Sequence, residues 1–223
     1  MEILLVISRY NEELEWIDYE AVKKYKNIIY NKGSNNNFKK NKNTLEVINI
    51  PNVGREGHTY LYHIINNYYN NLHDVIVFLP ASIDSSNDKL MKIVHILENL
   101  ENGIISNHCT KYNNVKTDLY DFQLDNWSAS DPKNIEINPE MKLELSKIRP
   151  FGKWFESHFG DMVIINEVYY CGIFAVHKNT ILYHPLSYYE ELMKELSLSS
   201  NPEAGHYFER SWGAIFTTDY KNV

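Results

Sequence analysis

The chain has 223 residues, 43% hydrophobic and 23% charged, with a formal net charge of -7. That length supports a real core without disulfides or a structural metal. The acidic balance excludes a general binder of nucleic acid or of anionic membrane, and no apolar run is long enough for a transmembrane helix.

The first segment, Met1 to Glu13, has no basic region ahead of its apolar run, so it reads as a buried strand rather than a signal peptide. Ile3 to Ile7 is continuously aliphatic, the pattern of a strand covered on both faces of a parallel sheet. Asn27 to Tyr30 is a second, shorter strand, stopped by Asn31-Lys32-Gly33, and Leu45 to Ile50 is a third, ended by Pro51-Asn52-Val53-Gly54. Between these two, residues 33–43 read as a low-complexity loop with no chemistry assigned to it. The 27 Asn of the chain are otherwise scattered among ordinary apolar segments and read as codon bias rather than a prion-like tract. From Glu56 to Asn71, Tyr60, Leu61, Ile64, Ile65 and Tyr68 recur at helical spacing. Val75 to Leu79 is a further strand closed by Pro80, and Asp88 to Leu100 a helix with Leu90, Ile93, Val94 and Leu97 on one face. Strands alternating with helices imply βαβ units and a mostly parallel sheet.

Residues 102–139, polar and marked by Trp127, Pro132 and Pro139, are expected to form a long excursion over the sheet with little regular structure. Regularity is expected to return at Met141 to Ile148, followed by a turn at Pro150-Phe151-Gly152. Tyr169 to His177 is strand-like, and Leu186 to Leu196 and His206 to Phe216 are helical. No linker or repeat interrupts the chain, so one domain over 1–223 is expected. Cys109 and Cys171 have neither a disulfide framework nor metal-ligand spacing, which points to a cytoplasmic protein with reduced thiols.

In open α/β sheets, ligands bind at the carboxyl ends of the strands. Four polar clusters fall there: Ser8-Arg9-Tyr10-Asn11-Glu12, Asn31-Lys32-Gly33, Asn52-Val53-Gly54-Arg55-Glu56 and Pro80-Ala81-Ser82-Ile83-Asp84. Each alone is readable as a turn or helix cap; together they face one crevice. Arg9, Lys32 and Arg55 suit a phosphorylated ligand, and Asp84 suits a divalent metal against a diphosphate. No Walker loop, Gly-x-Gly-x-x-Gly or Gly-x-Ser-x-Gly motif is present, which counts against P-loop, dinucleotide and α/β-hydrolase chemistry. Near the C-terminus, His206 and Glu209 stand three apart on one helix face. Glu209 reads as a general base and His206 as a metal ligand or diphosphate donor. The competing reading makes Glu209 and Arg210 a structural ion pair, with Tyr207, Phe208 and Trp212 in the core.

Taken in order, Ser-Arg-Tyr-Asn-Glu, Asn-Lys-Gly, Gly-Arg-Glu-x-x-x-Tyr-Leu, Val-Phe-Leu-Pro and Gly-His-Tyr-Phe-Glu-Arg-Ser-Trp resemble a family of small GT-A-type nucleotide-sugar glycosyltransferases of large DNA viruses, and related proteins of fungi and bacteria. The resemblance runs from residue 3 to about 218. It implies a Rossmann-like αβα sandwich with a nucleotide-binding half over about 1–100 and an acceptor half over about 101–223. It also implies transfer of a sugar from a UDP-linked donor to a glycan or other hydroxyl acceptor, with inversion. By position, Ser8, Arg9, Tyr10, Asn11, Lys32, Gly54, Arg55, Glu56 and Ser82 would bind the nucleotide sugar. Asp84 and His206 would hold manganese or magnesium, although Ser82-Ile83-Asp84 lacks the first carboxylate of the family's Asp-x-Asp motif. Glu209 is the first candidate base and Asp161 the second, and Trp127 and Trp154 are candidates to stack on sugar rings. Two other readings stand beside this one: a non-catalytic carbohydrate- or nucleotide-binding module, and a metal-dependent phosphoesterase using Asp84, His206 and Glu209.

Overall fold

The computed structural model describes residues 1–127 and 142–217. Its centre is a five-stranded sheet built from β1 (Ile3–Arg9), β2 (Lys26–Asn31), β3 (Thr44–Asn49), β4 (Val75–Pro80) and a late strand at Phe174–His177, in the order β3-β2-β1-β4-late strand. The first four are parallel, and the late strand runs antiparallel to β4 with Phe78 opposite Phe174. β1 sits in the middle, and both of its faces are covered because its side chains alternate between two cores. Leu4 and Val6 face a core with Tyr60, Phe78 and Trp212; Leu5 and Ile7 face another with Trp16, Ile93 and Leu97. The continuous aliphatic run is the sequence signature of that two-sided burial.

Helix α1 (Arg55–Asn67) links β3 to β4 and buries Tyr60, Leu61 and Ile64 on the first core. Helix α2 (Asn87–Glu101) covers the opposite face, starting at Ser86, whose hydroxyl accepts from the Lys89 amide. A short strand β5 (Thr110–Lys111) pairs antiparallel with β6 (Glu167–Val168), with the single-turn helix α3 (Val115–Asp118) between them. Helix α4 (Phe151–Phe159) follows, then the late strand, here β7, and helices α5 (Lys178–Leu182), α6 (Leu186–Lys194) and α7 (Glu203–Ile215). The expected αβα layering with a mostly parallel sheet is what the described residues form, and no helix among them is long and apolar enough to cross a membrane.

Three expectations change. The turn expected at Pro150-Phe151-Gly152 is the start of α4. Pro150 precedes the first helical residue, where its missing N–H is harmless, and Phe151, Trp154, Phe155 and Phe159 form the buried stripe. Residues 142–148 are irregular rather than a returning element: Glu144 exchanges backbone bonds with Asn201 and Glu203, which ties the segment to the start of α7. The Tyr169–His177 strand is shorter than expected, because a turn at Tyr170–Gly172 puts Cys171 and Gly172 at positive φ before β7 begins. Pro132, Pro139 and Met141 lie outside the described residues.

Candidate functional site

The chain passes from β3 through α1 to β4 on the far side of β1, so the strand order reverses between β1 and β4. The crevice outside their carboxyl ends is the place such sheets offer a ligand. Two glycines shape its rim. A Cβ on Gly33 would meet the Tyr10 carbonyl oxygen at 1.9 Å, so glycine lets the ends of β1 and β2 close on each other. Gly54 enters α1 at φ +61° against the Leu196 carbonyl, and Arg55 follows at φ +52°. A bulky residue held in the left-handed region is strained, and such strain gathers at functional sites.

The polar residues at the strand ends divide into two groups. Arg9 belongs to the frame and not to an open anion site: it is fully buried, lies 3.8 Å over the Phe38 ring and donates to Glu12 O, Tyr10 O, Asn31 Oδ1 and Asn35 O. The Ser8 hydroxyl bonds Thr59 at 2.8 Å, and the Glu12 carboxylate accepts the amides of Tyr10 and Asn11, closing their turn. Lys32 donates to Val53 O at 2.5 Å and to Arg55 O, which clamps the entry to α1 from below. Burial pulls its ammonium down to about 7, with Glu56 opposing and Arg55 adding to the fall.

The second group surrounds the N-terminus of α1 and the middle of α7. Arg55 donates through Nη1 to Asn201 Oδ1 (3.3 Å), stands 3.4 Å from His206 Nε2 and 3.7 Å from Glu56, and stacks 4.4 Å from the Trp127 ring. Arg210 reaches Glu209 at 3.5 Å, donates to His206 O and lies over Phe122. Its Nε, like Asn201 Nδ2, is buried without a partner among the described residues. Glu209 Oε1 accepts the Cys171 amide at 2.7 Å. Burial, and then the neighbouring Glu56 carboxylate, raises the Glu209 pKa against the pull of Arg210 and Arg55. Burial and the two arginines push His206 down to about 3, so it is neutral. Because the 170–172 turn precedes the strand paired with β4, the cluster sits over the β4 end of the crevice.

The structure thus brings Arg55, Glu56, His206 and Glu209 together and adds Arg210, Asn201 and Trp127. It does not add the other candidates. Asp161 is exposed after α4, where its carbonyl accepts Lys116, and no bond joins its side chain to Glu209. Ser82 is held by Lys89 at the carboxyl end of β4, and Asp84 is exposed on the turn beyond it. Trp154 is buried among Phe151, Tyr207 and Phe208, so it is a core residue rather than a sugar platform. The expected metal pair does not fit: Asp84 stands alone, while His206 faces two cationic side chains. Among the described residues, no three His, Cys, Asp or Glu side chains gather as a metal site.

Sequence reasoning missed Glu203. Its fully buried carboxylate accepts the amides of Leu124 and Ser146 and the Tyr207 hydroxyl, and pairs with the Arg149 guanidinium at 2.8 Å. It anchors the segment that carries Trp127 onto Arg55. An acidic residue in a helix's first turn was the only signal, and that position is common for reasons of capping alone.

No curated protein and no solved structure matches the chain. A family model does match, over residues 4–223, and the chain belongs to that family, described as a protein of unknown function (DUF3431).

Proposed function

We propose that the protein is a GT-A-like glycosyltransferase that moves a sugar from a UDP-linked donor to a hydroxyl acceptor, with inversion. The observation that carries the reading is the convergence of two arginines, a carboxylate of raised pKa and the strained start of α1 at the point where the strand order reverses.

In this reading Arg55, Arg210 and the N-terminal amides of α1 take the diphosphate, since fixed cations and a helix N-terminus both favour an anion there. Arg210 Nε and Asn201 Nδ2, without partners among the described residues, are donors that a ligand would satisfy. The acceptor oxygen attacks the anomeric carbon, the bond from that carbon to the phosphate oxygen breaks, and Glu209 takes the hydroxyl proton. A base whose proton affinity is raised by burial suits that role better than an exposed carboxylate. In this reading, charge on the leaving UDP falls to Arg55 and Arg210. Trp127, stacked on Arg55 at the rim, offers an aromatic face to a sugar ring or base.

Thermal unfolding with UDP, GDP or TDP tests the donor class. UDP is expected to raise the melting temperature with EDTA present, since a ligand that binds only the native state stabilises it, and Arg210→Ala is expected to abolish the rise. No response to any nucleotide would remove the reading. A second reading, a binding module without transfer, has one observation in its favour: both arginines already have protein partners. Nucleotide binding without turnover would select it.

A further inference from the structure

The loop over residues 33–43 differs in chemistry from the α1–α7 cluster, being rich in asparagine and lysine. It leaves the carboxyl end of β2 and returns to the amino end of β3, where Thr44 pairs with Asn27. Its asparagines are structural. Asn43 Nδ2 donates to Lys23 O at 2.5 Å, Asn41 Nδ2 to Ile17 O at 2.9 Å, and the Lys39 amide to Glu13 O at 2.9 Å. Phe38 is buried beneath Arg9. These bonds join the loop to residues 13–23 as two walls of one depression, about 710 Å³, lined by Asp18, Lys23, Lys24, Lys39, Lys40, Asn41, Lys42 and Asn43.

Five lysines and one acid line a hollow on a protein whose net charge is -7. Lys39 pairs with Asp18, Lys23 with Glu20 and Lys24 with Glu101, all at exposed positions. Such pairs are weak and exchange readily for a better anion. Among the described residues Lys40 and Lys42 have no ion pair, and both are exposed.

We propose that this lysine-lined hollow binds a compact ligand carrying several phosphate groups. Ammonium groups on flexible stems suit phosphate as point charges, and several of them around one concave floor suit several phosphates. The floor is held by asparagine and backbone bonds, so ligand binding need not order it. A long polyanion such as duplex nucleic acid is disfavoured: it would run off the patch onto an acidic surface. The chemistry is shared by a free polyphosphorylated solute and by a multiply phosphorylated lipid headgroup.

Titration calorimetry with inorganic tripolyphosphate, and flotation with vesicles of phosphatidylcholine alone or with a phosphoinositide bisphosphate, separate the two sources. The wild type is expected to bind tripolyphosphate, the phosphoinositide vesicles or both, with affinity falling as salt rises. The double variants K40A/K42A and K23A/K24A are each expected to weaken binding at least tenfold while keeping the wild-type melting temperature. Binding of tripolyphosphate without flotation assigns a free solute, and flotation only with the phosphoinositide assigns the headgroup. The proposal is overturned by no binding to either probe at low salt, by binding unchanged in both double variants, or by duplex DNA binding as tightly as tripolyphosphate. The lysine variants leave Arg55 and Arg210 in place, so their UDP-induced stabilisation reports separately on the nucleotide site.

Discussion

The two ends of the sheet use charge in opposite ways. At the carboxyl end, arginines and carboxylates are half-buried and paired with one another, with the Glu209 pKa raised and that of His206 pushed down to about 3. At the amino end of β2 and β3, lysines stand in solvent on a scaffold of asparagine bonds. Burial makes the difference: a charge taken out of water must be answered by a neighbour, whereas a solvated charge is free to meet a ligand. The first end is therefore fixed in geometry and proton affinity, and the second is adaptable and sensitive to salt.

The sharpest way to break the contrast is to unpair a charge at the buried end. Glu203→Ala removes the acceptor for two amides and a hydroxyl and the ion-pair partner of Arg149, and should destabilise the protein by about 3–5 kcal/mol, read by urea unfolding. Acid should act next. His58, His63 and His206 are held neutral, at about 4, 3 and 3, chiefly by burial. Their folded pKa values lie below the unfolded one, so the unfolded chain binds more protons and stability falls as pH drops from about 6.5 towards 4. The slope should approach about 4 kcal/mol per pH unit if all three act together, with the raised pKa of Glu209 opposing it. His63→Phe should flatten the curve, and equal curves for variant and wild type would contradict the burial account. A smaller effect is expected for Arg55→Lys, which keeps the charge but loses the planar fork. UDP affinity should fall by about 1.5–3 kcal/mol with the melting temperature of the free protein little changed. The smallest effect belongs to the other end: Lys42→Ala should move stability by less than about 0.5 kcal/mol.

The same contrast explains what could be read in the sequence. β1, β2 and β4 were legible because burial within the sheet writes an aliphatic run, β3 by its Leu45–Ile50 run although it is a half-exposed edge strand, and α1, α2, α6 and α7 because their apolar residues keep helical spacing. α4 was hidden by Pro150 and Gly152, which signal a turn; here one precedes the helix and the other makes room for the Tyr120 ring. At the site, Arg55, Glu56, His206 and Glu209 were legible as strand-end and helix-face residues. Arg9 looked identical to Arg55 in sequence, yet the 31–38 segment folds over it and Asn31 and Asn35 accept from its Nη1. That distinction depends on a non-local loop path. The same holds for the lysine hollow, whose walls come from segments on either side of β2, and whose asparagines looked like compositional noise.

The central claim is that Glu209 removes the acceptor proton in a site that holds UDP through arginines. Release of UDP from UDP-glucose, UDP-galactose and UDP-N-acetylglucosamine, measured with EDTA for the wild type and Glu209→Gln, tests it most directly. The account predicts sugar-dependent release by the wild type, and at least a hundredfold loss in the variant with UDP still stabilising both proteins. Turnover by Glu209→Gln at the wild-type rate, or a wild type that neither binds UDP nor releases it, would contradict the account.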